Sequence, residues 1–84
     1  MDENILVEVY LPTVMRYFTL RIATYLTIKE IKGTLCELLE EATQEAYVST
    51  PQIILYDCKK QRIMADDNTL AQLGILNGDK IIIW

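Results

Sequence analysis

Eighty-four residues can build one core, because a chain of this size buries only roughly 60% of the surface its unfolded form exposes; a single domain over residues 1–84 is expected. Eight basic against twelve acidic side chains give a net charge of −4, which opposes attraction to phosphate backbones or anionic lipid, so no nucleic-acid partner is expected. The longest apolar runs, Ile53 to Tyr56 and Ile81 to Trp84, have four members where a bilayer span needs about 20, and no membrane insertion is expected.

The stretch "MDEN" is acidic where a secretory signal would be basic and then apolar, so the chain is expected to stay in the cytoplasm. "NILVEVYLP" alternates, with Ile5, Val7, Val9 and Leu11 on one side and Leu6, Glu8 and Tyr10 on the other, the period of a half-buried strand. Pro12 ends it. "TVMR" reads as a turn, and "YFTLRIA" resumes with Phe18, Leu20 and Ile22 inward, making an antiparallel hairpin.

"LTIKEIKGTLCELLEEATQEA" then places Ile28, Ile31, Leu35, Leu38 or Leu39 and Ala42 along one helical stripe, which predicts a main helix over about 27–45. Thr27 and Glu30 form a capping-box pair, with Leu26 and Ile31 at staple positions. Gly33 inside this helix means either close approach to a sheet or simple tolerance, and costs about 1 kcal/mol relative to alanine. The acidic residues Glu37, Glu40, Glu41 and Glu45 read as a solvated face, with an acidic docking surface as the alternative.

Pro51 breaks the helix. "IILYD" reads as a short, mostly buried strand, "CKKQ" as a turn and "RIM" as a brief returning strand. "DDNTLAQLGIL" follows, with Asp67 or Asn68 capping one helical turn that inserts Leu70, Leu73 and Ile75. Asn77-Gly78 marks a turn before "KIIIW", whose isoleucines suit a central strand, paired in parallel with the first across the helical crossover.

The order strand, strand, helix, strand, short strand, helical turn, strand fits an α+β fold, a mixed sheet of four or five strands packed on one main helix. In this layout "FTLRI", "TIKEIKGTL" and "TLAQLGILNGDKIIIW" resemble ubiquitin's second strand, the start of its helix, and its threonine-leucine turn and final strand. The resemblance implies a ubiquitin-like β-grasp. "YLTIKEIKGTLCELL" after "LRIA", with "GILNGDKIII" at the end, is similar to the YukD/EsaB family of type VII secretion accessory proteins. That likeness implies a partner of a secretion apparatus.

Conjugated ubiquitin-like proteins and sulfur carriers need a flexible Gly-Gly tail, because only residues without Cβ atoms pass easily into an adenylating site. "KIIIW" offers Trp84 instead, so a non-conjugating protein is expected. Two alternatives stay open: a modifier or sulfur carrier whose tail has been removed, and a ubiquitin-like scaffold domain cut from a larger protein.

Alternation puts Ile81 and Ile83 towards the helix and Lys80, Ile82 and Trp84 on the opposite face. There Ile82 and Trp84 are expected beside Leu6 on the first strand and Leu55 on the third. By the resemblance, Leu55, Ile82 and Trp84, with Val14 or Met15 in the first hairpin turn, stand about where ubiquitin carries its apolar receptor patch. The candidate protein-binding residues are therefore Trp84, Ile82, Leu55, Leu6 and Met15, and the occupant is a protein partner or a second copy of the chain. The bland alternative is that Trp84 folds back over the sheet, or that scattered surface apolars carry no role.

Catalysis is not expected. The chain has no histidine, so neither a Ser-His nor a Cys-His base can form. Gly33, Gly74 and Gly78 make no phosphate loop, no cofactor is expected, and Asp66-Asp67 reads as capping. Cys36 and Cys58 lack CxxC or zinc-finger spacing and read as reduced packing thiols; Lys59 and Lys60 would lower the Cys58 pKa if that thiol were exposed.

Overall fold

The computed structural model describes residues 3–44 and 53–83. In chain order the elements are β1 (Asn4–Leu11), β2 (Arg16–Ala23), α1 (Ile28–Ala42), β3 (Leu55–Asp57), β4 (Arg62–Ile63), α2 (Leu70–Leu73) and β5 (Lys80–Ile83). They form one five-stranded mixed sheet in the order β2-β1-β5-β3-β4. As expected, β5 is central: it runs parallel to β1, with Val9 opposite Ile81, and antiparallel to β3, with Asp57 opposite Ile81.

The alternation of β1 sorts its side chains cleanly, because a period of two sends successive residues to opposite faces. Val7, Val9 and Leu11 are fully buried under α1, while Glu8 and Tyr10 are half-buried and Leu6 is exposed on the other face. Ile81 and Ile83 join the buried set from β5. From α1 come Ile28, Ile31, Leu35 and Leu39; Leu38 and Ala42 of the expected stripe are exposed.

The start of α1 matches the capping-box expectation. Glu30 N–H donates to Thr27 Oγ1 at 3.3 Å and Thr27 N–H donates to Glu30 Oε1 at 3.2 Å. The next free donors find the loop before α2, Ile28 N–H bonding Asn68 C=O and Lys29 N–H bonding Asp66 C=O, so the helix start is also a tertiary anchor. The end of α1 comes earlier than 45. Gln44 takes a left-handed φ of 53°, and the Thr43 hydroxyl donates back to Leu39 C=O at 2.7 Å.

The cap of α2 is also corrected: Thr69, not Asp67 or Asn68, is the N-cap, in a second capping box with Gln72. Asp66 instead pairs with Lys32 of α1 at 2.5 Å. The S/T-x-x-E/Q signature is present here as Thr69-Leu70-Ala71-Gln72, whose two reciprocal bonds satisfy two free donors at once where Asp67 or Asn68 would satisfy one. Leu70, Leu73 and Ile75 insert into the core as expected.

Gly33 faces open space, with nothing within 4 Å of where a Cβ would stand, so tolerance rather than close packing explains it. Gly33→Ala is therefore expected to stabilise the protein by about 0.5–1 kcal/mol, read as a rise in the thermal unfolding midpoint.

Candidate functional site

α1 covers one face of the sheet, and the opposite face carries no element among the described residues. The strand registers align one residue from every strand in a single row on that face. Tyr17 of β2 stands opposite Tyr10 of β1, Tyr10 opposite Ile82 of β5, Ile82 opposite Tyr56 of β3, and Tyr56 opposite Ile63 of β4. At about 4.8 Å per strand the row is roughly 19 Å long. Directly opposed residues share a face and touch, and the Tyr10 and Tyr17 rings meet at 4.6 Å between centroids with a 40° tilt.

The row is half open to solvent. Tyr17 and Ile63 at its ends are 61% and 63% exposed, and Tyr10, Ile82 and Tyr56 between them are half-buried. One step along the strands the character changes, with Glu8 opposite both Thr19 and Lys80. That opposite-charge pair gives the lower margin of the row little net charge. At the hairpin end Met15 is 76% exposed, in a left-handed turn conformation with φ 51°.

These placements sort the expected site residues. Ile82 lies at the centre of the row, and Met15 is exposed at its hairpin end. Leu55 is a correction: it is fully buried under α1, and its neighbour Tyr56 takes the open-face position. The reason is a one-residue difference in strand parity, which moves every side chain to the other face. Leu6 is on the open face but not beside Ile82; the register puts Tyr10 there, and Leu6 C=O instead accepts from Gly78 N–H at 2.7 Å. Val14 is partly buried and packs on the core. Trp84 lies outside the described residues.

Tyr10, Tyr17, Tyr56 and Ile63 were missed as site residues. Their signal was aromatic residues at solvent-side positions of strands: three of the five tyrosines stand in one row.

The other candidate chemistries look different in three dimensions. Cys58 is half-buried, and burial first, then the Asp57 charge, push its thiol above the ordinary thiol range despite an opposing pull from Lys80. The expected lowering by Lys59 and Lys60 is thus reversed. Among the described residues no three of His, Cys, Asp and Glu converge to hold a metal ion, and no helix is long and apolar enough to cross a membrane.

The sequence matches no family model and none of the curated proteins. Solved structures do match. A chain of the ESX-5 inner membrane complex superposes with a TM-score of 0.83 at 11% identity, over 99% of this chain and 21% of that one. The EccD5 ubiquitin-like domain from Mycobacterium xenopi gives 0.81 at 10% identity, covering 99% and 94%. The N-terminal ubiquitin-like domain of the 4931431F19Rik protein gives 0.76 at 19% identity, covering 100% and 76%.

The fold is a ubiquitin-like β-grasp. In this ubiquitin-like domain the uncovered sheet face is the surface that concentrates apolar side chains where water is expected.

Proposed function

We propose that this chain is a protein-binding ubiquitin-like domain of a type VII secretion system, acting in the cytoplasm by non-covalent contact and without catalytic chemistry. The observation that carries the reading is the Tyr17–Tyr10–Ile82–Tyr56–Ile63 row across the open face. A contiguous apolar band of this kind marks an interface more often than scattered single residues do, and tyrosine is enriched among residues that dominate binding energy. The occupant is another protein of the secretion assembly. Its chemistry follows from the margin of the row, where Glu8 and Lys80 offset one another and the surface suits a mixed protein partner rather than a polyanion. The likeness to the EccD5 domain and the ESX-5 chain, together with the sequence resemblance to YukD/EsaB, supports secretion as the setting.

The test is binding of the purified chain to purified cytoplasmic components of a type VII secretion system from the same organism, with an Ile82→Ser, Ile63→Ser variant in parallel. Wild type is expected to bind one component, and the variant at least about tenfold more weakly, the loss of one well-packed anchor, with an unchanged circular dichroism spectrum. Equal binding by the variant, or no binding of any component by wild type, rejects the reading.

A further inference from the structure

Where β1 begins, the sheet ends in a polar recess. Its volume is about 390 Å³ and its lining is Glu3, Asn4, Ile5, Leu6, Arg21 and Asn77. Leu6 lies roughly 13 Å along β1 from Tyr10, at about 3.3 Å per residue, so the recess is a surface separate from the tyrosine row.

Strand parity explains why polar main chain gathers there. Thr24 N–H donates to Glu3 C=O at 2.7 Å and Glu8 N–H donates to Asp79 C=O at 2.9 Å, so odd-numbered residues of β1 bond to β2 and even-numbered ones turn towards β5. The ladder with β5 starts only at Glu8. Ahead of it the loop between α2 and β5 stands in for a strand: Leu6 N–H donates to Asn77 Oδ1 at 2.8 Å, and Gly78 N–H donates to Leu6 C=O at 2.7 Å. Asn4, two residues earlier, lies beyond that loop, and its N–H and C=O have no hydrogen-bond partner among the described residues.

The side chains add donors and one acceptor. With Oδ1 engaged by Leu6, Asn77 keeps both Nδ2 hydrogens free to donate. Its loop is tied again by Asp79 Oδ2, which accepts from Leu76 N–H at 2.9 Å, so the amide is held in place before any ligand arrives. Arg21 stands opposite Leu6 and has no ion-pair or hydrogen-bond partner for its side chain among the described residues. Glu3 is fixed by two bonds from Thr24 to its C=O, and its carboxylate is likewise unpaired.

Guanidinium and amide donors side by side suit a carboxylate. Glu3 in the same recess disfavours a second anion and attracts a cation beside the first group. The N–H and C=O of Asn4 match a peptide unit, and Leu6, 40% exposed, offers an apolar wall. A free small molecule fits less well, because small-ligand sites bury most of their ligand, whereas Glu3, Asn4, Leu6, Arg21 and Asn77 are all exposed. The end of a longer chain can leave such a recess into solvent. We propose that this recess captures the C-terminal carboxylate of a partner polypeptide, the carboxylate on Arg21 and Asn77 Nδ2, the last peptide unit on Asn4, and a basic penultimate side chain against Glu3.

The experiment is an amide NMR titration of the full chain with the tetrapeptide acetyl-alanine-serine-lysine-valine carrying a free terminal carboxylate. Shifts are expected at the Asn4, Leu6 and Arg21 amides and the Asn77 side-chain NH2. The same peptide amidated at its C-terminus should bind at least about tenfold more weakly, the loss of one charge-assisted contact. Asn77→Asp keeps the acceptor for Leu6 N–H but replaces the donors by a negative charge, so it should retain a folded amide spectrum and weaken binding at least about tenfold. Arg21→Gln should weaken it to a similar extent. Glu3→Lys should reverse the side-chain preference, making the peptide with glutamate in place of lysine the tighter of the two. The Ile82→Ser, Ile63→Ser variant should bind the peptide as wild type does, which separates this site from the open-face row. Absence of shifts at the recess, shifts centred on Tyr10 and Ile82, equal affinity for acid and amide, equal affinity for acetyl-valine alone, or undiminished binding by Arg21→Gln each overturns the proposal.

Discussion

Leu55→Ala is expected to lower the unfolding free energy by about 3–4 kcal/mol, the loss from truncating a fully buried leucine whose site closes only in part. Leu55 has no exposed surface and lies on the α1 side of β3, between β4 and the central β5. In a domain of 60–100 residues each kcal/mol moves the thermal midpoint by about 4–8 °C, so the variant should melt roughly 12–30 °C lower. The comparison that gives the result meaning is Ile63→Ala at the solvent end of the open-face row, where a 63% exposed side chain should cost no more than about 0.5–1 kcal/mol. Paired urea melts check both. A Leu55→Ala protein as stable as wild type would contradict the inward placement of that side chain and return it to the open face.

The contrast between Leu55 and Leu6 shows where face assignment was legible in the sequence. β1 alternates apolar and polar groups over its whole length, so Val7, Val9 and Leu11 could be sent inward from spacing alone, and they are buried. The run Ile53-Ile54-Leu55-Tyr56 has no alternation to read. Parity there is set by pairing with β5, where Leu55 meets Ile83 and Tyr56 meets Ile82, a long-range fact that a local pattern does not contain. The same limit hid the tyrosine row: Tyr10 was placed on the outer face, but its neighbours depend on a parallel register across the whole crossover. Capping was legible at α1 because Thr27 and Glu30 stand alone, and misread at α2 because Asp67 and Asn68 compete in sequence with Thr69.

Asp57 is the clearest case of a structural role with no sequence signal beyond a turn, and Asp57→Ala is expected to cost about 2–4 kcal/mol. The side chain is fully buried at the end of β3. Its Oδ1 accepts from Lys59 N–H at 3.1 Å and Lys60 N–H at 3.4 Å, closing the turn to β4. Hydrogen bonds to a charged acceptor contribute about 1.5–3 kcal/mol, and truncation leaves the donors unmet. Oδ2 has no hydrogen-bond partner and faces Arg62 Nε at 3.7 Å. The cations matter as much as the turn. Lys60 Nζ and Arg62 Nη2 both donate to Leu73 C=O at the end of α2, and the Asp57 carboxylate stands behind one of these two like charges, 3.7 Å from Arg62 Nε. Removing that carboxylate takes away the countercharge of Arg62 and leaves the Lys60–Arg62 repulsion less offset. Asp57→Asn keeps an oxygen for the Lys59 and Lys60 amides and loses only the charge, so it should fall between Ala and wild type. Lys60→Met should then recover part of the Asn loss, because it deletes one of the two confronting cations. A double-mutant cycle in chemical denaturation measures that coupling. Strict additivity of Asp57→Asn and Lys60→Met would show that the carboxylate serves the turn alone and leaves the α2 end unsupported by charge.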